Sequence, residues 1–233
     1  MTTKQYMDDF FKAYSLVSVL SNKNNCKVIR ARNKTMKKDI ILRSYPNSIP
    51  AYEWLYKIEC KNLPIIYDVI NLEDGQIILE EYIDGITVGE VIESGKYNYS
   101  GMKKVIRSVC NALTVIHCNN LIHRDVKPEN VMITKEGRVV LIDFNASRKM
   151  SKAVKDTVIM GTVGYASPEQ LGISQSDTRT DIYSVGVLIN VMLTGKHPSE
   201  ELTKGKARKI VLKSTRINPD ERYQSADILA KKL

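Results

Sequence analysis

Apolar and polar positions change rhythm along this chain near residue 85. Before that point, short runs rich in β-branched and aromatic residues (SLVSVL, KVIRAR, DIILRSY, PIIYDVI and QIILEEY) are separated by Asn/Lys-rich or Asp-Gly turns, the pattern of antiparallel strands. One helical stretch around IPAYEWLYKI interrupts them. Beyond residue 85 the helical period dominates, with Val105, Ile106, Val109, Leu113 and Ile116 three or four apart on one face. DIYSVGVLINVML is apolar nearly all round, as a central buried helix is. Between these helices VMI and RVVLIDF flank KEG, which reads as a hairpin with Asp143 at its far end. The expected architecture is α+β and two-lobed: residues 1–83 form a small antiparallel sheet with one helix, and residues 84–233 form a larger, mainly helical lobe.

Just before the first hairpin strand stands LIHRDVKPENVMI, in which Arg124, Asp125, Lys127 and Asn130 crowd between two apolar flanks. A plain turn needs no carboxylate between two cations, so the cluster calls for chemistry. The 233 residues, 43% of them hydrophobic, are enough for a substantial core. Thirty-five basic against 26 acidic side chains give a net charge of +9, which suits nucleotide phosphates or other polyanions and equally a merely basic surface. No apolar run is long enough to span a bilayer, and the start MTTKQYMDDFFKAY lacks the order of a secretory signal. Cys26, Cys60, Cys110 and Cys118 are scattered without a CxxC, so reduced thiols in a cytoplasmic protein are expected. The last residues, ADILAKKL, stop inside a helical pattern without a capping Gly or Pro, as a piece cut from a longer protein does.

Four segments in order carry a resemblance: HRDVKPEN at 123–130, DFN at 143–145, GTVGYASPE at 161–169 and DIYSVGV at 181–187. The chain resembles the eukaryotic-type Ser/Thr protein kinases, including their bacterial branch, strongly from residue 80 onward and weakly before. The resemblance implies a two-lobed fold whose small lobe binds nucleotide, with ATP and Mg²⁺ (or Mn²⁺) as cofactors and a protein Ser or Thr as acceptor. It further implies that Asp125 orients the acceptor hydroxyl, that Lys127 neutralises the transferring phosphate, and that Asn130 and Asp143 hold the metal. Thr162 resembles the threonine that touches both the Asp and the Lys. Arg124 resembles the arginine that holds a phosphorylated activation loop, for which Thr157 is the first candidate. Glu169 and Arg222 resemble a buried ion pair, and Asp181 the aspartate that bonds the backbone of the HRD turn. His123 and Phe144 resemble packing members of the spine.

The small lobe departs from that family. Where a glycine-rich loop is usual, the chain reads SNKNNCKV, and where the lysine of VAIK is usual, IILR places Arg43. Arg keeps the charge but is longer and planar. The usual helix glutamate falls on Ala51, with Glu53 nearby. Glu53 either reaches Arg43 through a short, shifted helix or is a solvated helix residue. Lys27 and Lys23 are either a second source of cationic charge for the nucleotide or two surface lysines. ILEEYIDG resembles the segment that bonds adenine through backbone groups, which assigns Glu81, Tyr82 and Ile83 to that role and leaves Glu80 beside it, needing a polar neighbour. SRKMSKAVK and KGKARK are read as solvated basic stretches or docking patches, and His117 and His197 as a helix-end and a loop residue. The leading function is ATP-dependent phosphorylation of protein Ser or Thr. The alternative is a pseudokinase serving as a nucleotide- or protein-binding module, favoured by the lost glycines and Arg43. Nucleic-acid binding, resting on charge alone, is not expected.

Overall fold

The computed structural model describes residues 1–23, 25–150, 162, 164–171 and 175–233. Thr157 and most of the segment around it lie outside the described residues. The chain divides into two compact units, one of Met1–Glu59 with Pro64–Ile83 and one of Cys60–Leu63 with Asp84–Leu233.

In the first unit, helix α1 (Thr3–Ala13) leads into β1 (Tyr14–Lys23), β2 (Cys26–Asn33), β3 (Asp39–Tyr45), helix α2 (Ala51–Leu55), β4 (Ile66–Leu72) and β5 (Gly75–Glu81). The strands form one antiparallel sheet in the order β1-β2-β3-β5-β4. The period of two in the strands sorts the side chains onto two faces. Ile29, Ala31, Ile40, Leu42 and Ile77 share a core with Phe10 of α1, whose ring stacks on Tyr14 at 4.4 Å. Thr2 and Gln5 close a capping box at the start of α1, each side chain bonding the other's backbone amide. Ile41, Arg43 and Tyr45 lie on the opposite face, across from Glu80, Ile78 and Gln76. There α2 contributes Tyr52, whose hydroxyl is 3.3 Å from that of Tyr45.

The second unit continues with β6 (Gly85–Thr87), α3 (Val88–Ser94), α4 (Tyr99–Cys118), β7 (Leu121–Ile122), β8 (Val131–Thr134), β9 (Val139–Leu141), β10 (Arg148–Lys149), α5 (Thr178–Thr194), α6 (Gly205–Ser214) and α7 (Ala226–Ala230). The expected α+β character holds. The apolar face expected on α4 is buried at Val105, Ile106, Val109, Leu113 and Ile116, and α5 is buried nearly all round. Strands β8 and β9 pair as a hairpin, with β6 alongside β8. Cys60–Leu63, which follow the short helix in sequence, belong to this unit through hydrogen bonds. Asn62 donates to the Val139 carbonyl at 2.7 Å and accepts from Leu141 N through its own carbonyl and from Asn111 Nδ2 through Oδ1.

Gly186 marks the close approach of α5 to α6: a Cβ there would stand 2.5 Å from Ser214 Cβ. Gly186→Ala gains helix propensity worth about 1 kcal/mol, but the overpacking costs about 1–3 kcal/mol against a neighbouring Cβ that has no flexible end to move. We expect a net loss of stability in urea unfolding. A more stable variant would show that the two helices separate freely.

Candidate active site

Strand β7 delivers the chain to a turn that its own residues do not favour. Arg124 has φ +67°, a left-handed conformation that costs a side-chain-bearing residue about 1–2 kcal/mol. Asp181 of α5 holds this turn. Its Oδ2 accepts from His123 N at 2.9 Å and its Oδ1 from Arg124 N at 2.8 Å, while His117 Nε2 at the end of α4 donates to Oδ2 at 2.7 Å. Asp181 is fully buried, which by itself would raise its pKa. The donors from His117 and the His123 backbone outweigh burial and hold it below its ordinary value. His117, expected from the sequence to be a helix-end residue, is thus part of the support for this turn. Its signal is a basic residue in the last turn of α4.

His123 is buried and edge-on to Phe144, with ring centroids 4.8 Å apart. Its Nε2 lies 3.2 Å from the Ile142 carbonyl and its Nδ1 3.3 Å from Asp125 N. A carbonyl only accepts and an amide only donates, so the ring is the neutral tautomer with its proton on Nε2. Burial, the largest influence, lowers its pKa accordingly. These contacts give the ring a packing and orienting part.

The turn presents a closed set of polar contacts. Lys127 Nζ lies 2.9 Å from Asp125 Oδ2 and donates to Thr162 Oγ1 at 2.7 Å, and Thr162 Oγ1 donates to Asp125 Oδ1 at 2.7 Å. Asn130 Nδ2 donates to the Asp125 carbonyl at 2.8 Å and to Oδ2 at 2.9 Å. Burial pushes Asp125 upward, but Lys127 and Thr162 overcome it, so its carboxyl stays below the ordinary range and is ionised at neutral pH. Asn130 ends a 3₁₀ turn, Pro128–Asn130, and its carbonyl accepts from Ile142 N at 2.9 Å. The residue after Ile142 is Asp143, also left-handed at φ +66°. The hairpin β8–β9 therefore brings its two ends, Asn130 and Asp143, side by side.

A second buried group lies behind this set. Glu169 and Arg222 form a two-pronged ion pair, Nη1 to Oε1 at 2.6 Å and Nη2 to Oε2 at 2.8 Å. Thr180 donates to Glu169 at 3.0 Å, and Ser184 donates to the Tyr165 carbonyl at 2.9 Å, which ties the 164–170 segment to α5. Gln170, which no pattern in the sequence singles out, donates to the Arg124 carbonyl at 2.8 Å.

In the first unit Arg43 and Glu80 are both buried, and Arg43 Nε donates to Glu80 Oε1 at 2.7 Å. Glu80 thus has its polar neighbour. Glu53 is exposed and accepts from Asn71 Nδ2 at 3.1 Å, so the solvated alternative describes it and not the pairing with Arg43. Lys27 is not brought to Arg43. It is exposed, and its register partner on β3 is Ser44, which shares a face with Leu42 and Ile40. Neighbouring residues of a strand point to opposite sides, so Lys27 and Arg43 occupy different faces of the sheet. Glu81 N is engaged by the Ile65 carbonyl at 2.8 Å, the ring of Tyr82 lies under the Arg30 guanidinium at 4.0 Å, and Ile83 is buried just past the end of β5. Among the described residues no three or more His, Cys, Asp or Glu gather as a metal site, and no helix is long and apolar enough to cross a membrane.

The buried ionisable groups predict a two-stage acid response. His123 resists protonation when folded, so stability declines as pH falls below its ordinary 6.5. Asp125, Glu169 and Asp181 have lowered folded values, so their contribution is complete above about pH 5 and is lost as pH falls through those values. Urea unfolding from pH 8 to pH 3 is expected to resolve both stages, with Asp181→Asn flattening the lower one and, by removing a charge that favours protonated His123, steepening the upper one. Stability constant over that range would contradict the assignment.

Comparison with known proteins agrees with this geometry. A family model described as protein kinase domain matches residues 13–232. The serine/threonine-protein kinase PknB of Mycolicibacterium smegmatis is 29% identical over 269 aligned positions, covering 97% of this chain and 43% of that protein. PknB of Mycobacterium tuberculosis is likewise 29% identical, with 42% of its length covered. PknL of the same species is 39% identical over 147 positions, 61% of this chain and 36% of its own length. The chain thus spans less than half the length of these relatives. A match running from β1's neighbourhood to the last helix takes in both units, and the chain belongs to the protein kinase domain family.

Proposed function

We propose that this chain transfers the γ-phosphate of ATP to a Ser or Thr hydroxyl of a protein. The observation that carries the reading is the triangle of Asp125, Lys127 and Thr162, closed by contacts of 2.7–2.9 Å. It joins a carboxylate, a cation and the segment that in this family faces peptide substrates. In the proposed reaction the acceptor oxygen forms a bond to the γ-phosphorus while the bond from phosphorus to the ADP oxygen breaks. Asp125 orients the hydroxyl and takes its proton. Because its pKa is held low, Asp125 is a weak base, so the proton moves late, after the new bond has begun to form. Lys127 offsets charge on the transferring group, and Thr162 keeps both side chains in register.

The donor set fits Mg²⁺ or Mn²⁺ carried with the nucleotide. Asn130 commits Nδ2 to Asp125, which leaves Oδ1 as its ligating atom, and Asp143 offers a carboxylate beside it. Both are hard oxygen donors, too few to bind a metal without phosphate oxygens. Bound ATP with its metal supplies the phosphoryl group and neutralises its developing charge. Asn130 and Asp143 hold that metal, Arg43 meets phosphate oxygens, and Glu81 and Ile83 offer backbone groups to adenine. Arg124 is assigned to an anionic activation segment and Lys27 to the protein surface. The four cysteines, none of them in a disulfide, accord with a cytoplasmic setting.

A second reading, a binding module without transfer, is favoured by one observation: Arg43 is buried against Glu80. Labelled ATP, Mg²⁺ or Mn²⁺ and a generic basic protein, followed by acid hydrolysis and phosphoamino-acid separation, decides between the two. Phosphoserine or phosphothreonine in the acceptor is the expected result. Nucleotide binding with no transfer under either metal supports the module.

A further inference from the structure

The kinase pattern that this chain resembles places a cation on the third strand and its partner carboxylate on the neighbouring helix. Here that helix, α2, has five residues, Ala51 stands at the usual position, and Glu53 points to solvent with Asn71 as its donor. We propose that Glu80 of β5 has replaced the helix carboxylate as the positioning residue for Arg43, so that the nucleotide's phosphate contact is set by the sheet instead of by the helix. This rests on the reading of Arg43 as the phosphate contact given above.

The sheet register makes the pair. Ile41 lies directly opposite Glu80 and Arg43 directly opposite Ile78, so Arg43 and Glu80 are diagonal neighbours on one face of adjacent strands. Both are nearly fully buried, at 7% and 3% exposure, and the Nε–Oε1 distance is 2.7 Å. A charge in such surroundings requires an opposite charge in good geometry, and removal of either one upsets the charge balance around the other. The pair also explains the chemistry of position 43. A lysine ends in a compact ammonium with no donor along its stem, whereas arginine carries an N–H at Nε, short of the fork's tip. Glu80 grips that inner donor, so the plane of the guanidinium is fixed at its base. Arginine at 43 and glutamate at 80 therefore depend on one another, and restoring lysine alone gives Glu80 nothing equivalent to hold.

Two consequences separate this arrangement from the usual one. Nucleotide binding becomes insensitive to the charge on α2, because both members of the pair sit on adjacent, hydrogen-bonded strands. Arg43→Lys, which reproduces the family's residue, weakens nucleotide binding.

The test uses the whole chain and three kinds of measurement. Calorimetric titration with Mg·ADP, together with KM for ATP and KM for the protein acceptor, is made on wild type, Glu80→Gln, Glu53→Gln and Arg43→Lys. Glu80→Gln is nearly isosteric and keeps an acceptor, and Glu80→Asp serves as a second variant. We expect Glu80→Gln and Arg43→Lys to raise Kd and the KM for ATP at least about tenfold, to leave the acceptor KM unchanged, and Glu53→Gln to match wild type. A rise in Kd for Glu53→Gln with none for Glu80→Gln, or tighter binding by Arg43→Lys, overturns the proposal. Urea unfolding without nucleotide supplies a double-mutant cycle for Arg43→Met with Glu80→Gln and for Arg43→Met with Glu53→Gln. Coupling in the first cycle and additivity in the second are expected, and additivity in both overturns the pair itself. A wild-type chain that binds no Mg·ADP while the 43–80 coupling persists defeats the phosphate-contact reading and leaves only the pair.

Discussion

Arg222→Ala lowers the unfolding free energy of the second unit by about 3–5 kcal/mol, the usual result of leaving a buried charge without its partner. The reason lies in the completeness of the site. Arg222 is 2% exposed, and all its N–H groups are used: two on Glu169, and one each on the carbonyls of Arg216, Arg179 and Ile217. Arg222→Lys brings three donors in place of a planar fork of five, so it too is expected to be strongly destabilising. Glu169→Gln keeps the shape and removes the charge, and its loss should be comparable because Arg222 stays buried and charged. Glu169→Leu combined with Arg222→Met recovers part of the loss, since no lone charge remains, but the three carbonyls still lack donors. Chemical unfolding monitored by far-UV circular dichroism checks the series. If Arg222→Lys unfolds with the wild type, the fork geometry has no energetic role.

Asp125→Asn is expected to reduce kcat by about 10²–10⁴-fold, the range for a positioned proton acceptor, and to leave the KM for ATP nearly unchanged. Asparagine preserves the shape and keeps the Asp125 carbonyl that Asn130 bonds at 2.8 Å. It neither accepts the proton of the acceptor hydroxyl nor balances the Lys127 charge 2.9 Å away. Thr162→Ala removes one bond to each of these groups and should cost about tenfold, in line with a hydrogen bond to a charged partner. Thr162→Ser keeps the hydroxyl and should stay close to wild type. Steady-state kinetics with ATP and acceptor varied separately distinguish these cases. A Thr162→Ala defect that serine does not restore would assign the residue to packing alone.

The parts of the molecule legible in the sequence are those written locally. The burial of Val109 or Leu113 follows from a period of 3.6 within α4, and the HRDVKPEN turn precedes its hairpin by a single step along the chain. Helix α1 is a second helix where a single one, around IPAYEWLYKI, is expected in residues 1–83. Thr2 and Gln5 make a capping box, and Tyr6, Met7, Phe10 and Phe11 pack on the sheet core while Asp8 and Asp9 fall on the exposed face. The pairings that decide the first unit are not local. Arg43 meets Glu80 because β3 lies beside β5 and not beside β4, and no residue near either position encodes that order. Lys27 is misleading for a related reason: its closeness to the nucleotide loop in sequence is a matter of chain distance, whereas the face it occupies is set by its register with Ser44. Asp181 joins His117, His123 and Arg124 across a separation of 57 to 64 residues, and α5 packing against both α4 and β7 makes those contacts.

The most direct test of the account is one pair of quenched reactions, wild type and Asp125→Asn, each saturated with radiolabelled ATP and Mg²⁺ and matched for nucleotide binding and for the urea midpoint. Label passing to Ser or Thr of the acceptor from wild type, with at most about a hundredth of that rate from the variant, is the result expected. Equal transfer by the two proteins would contradict it, because the side chain at the centre of the triangle would then have no part in the reaction.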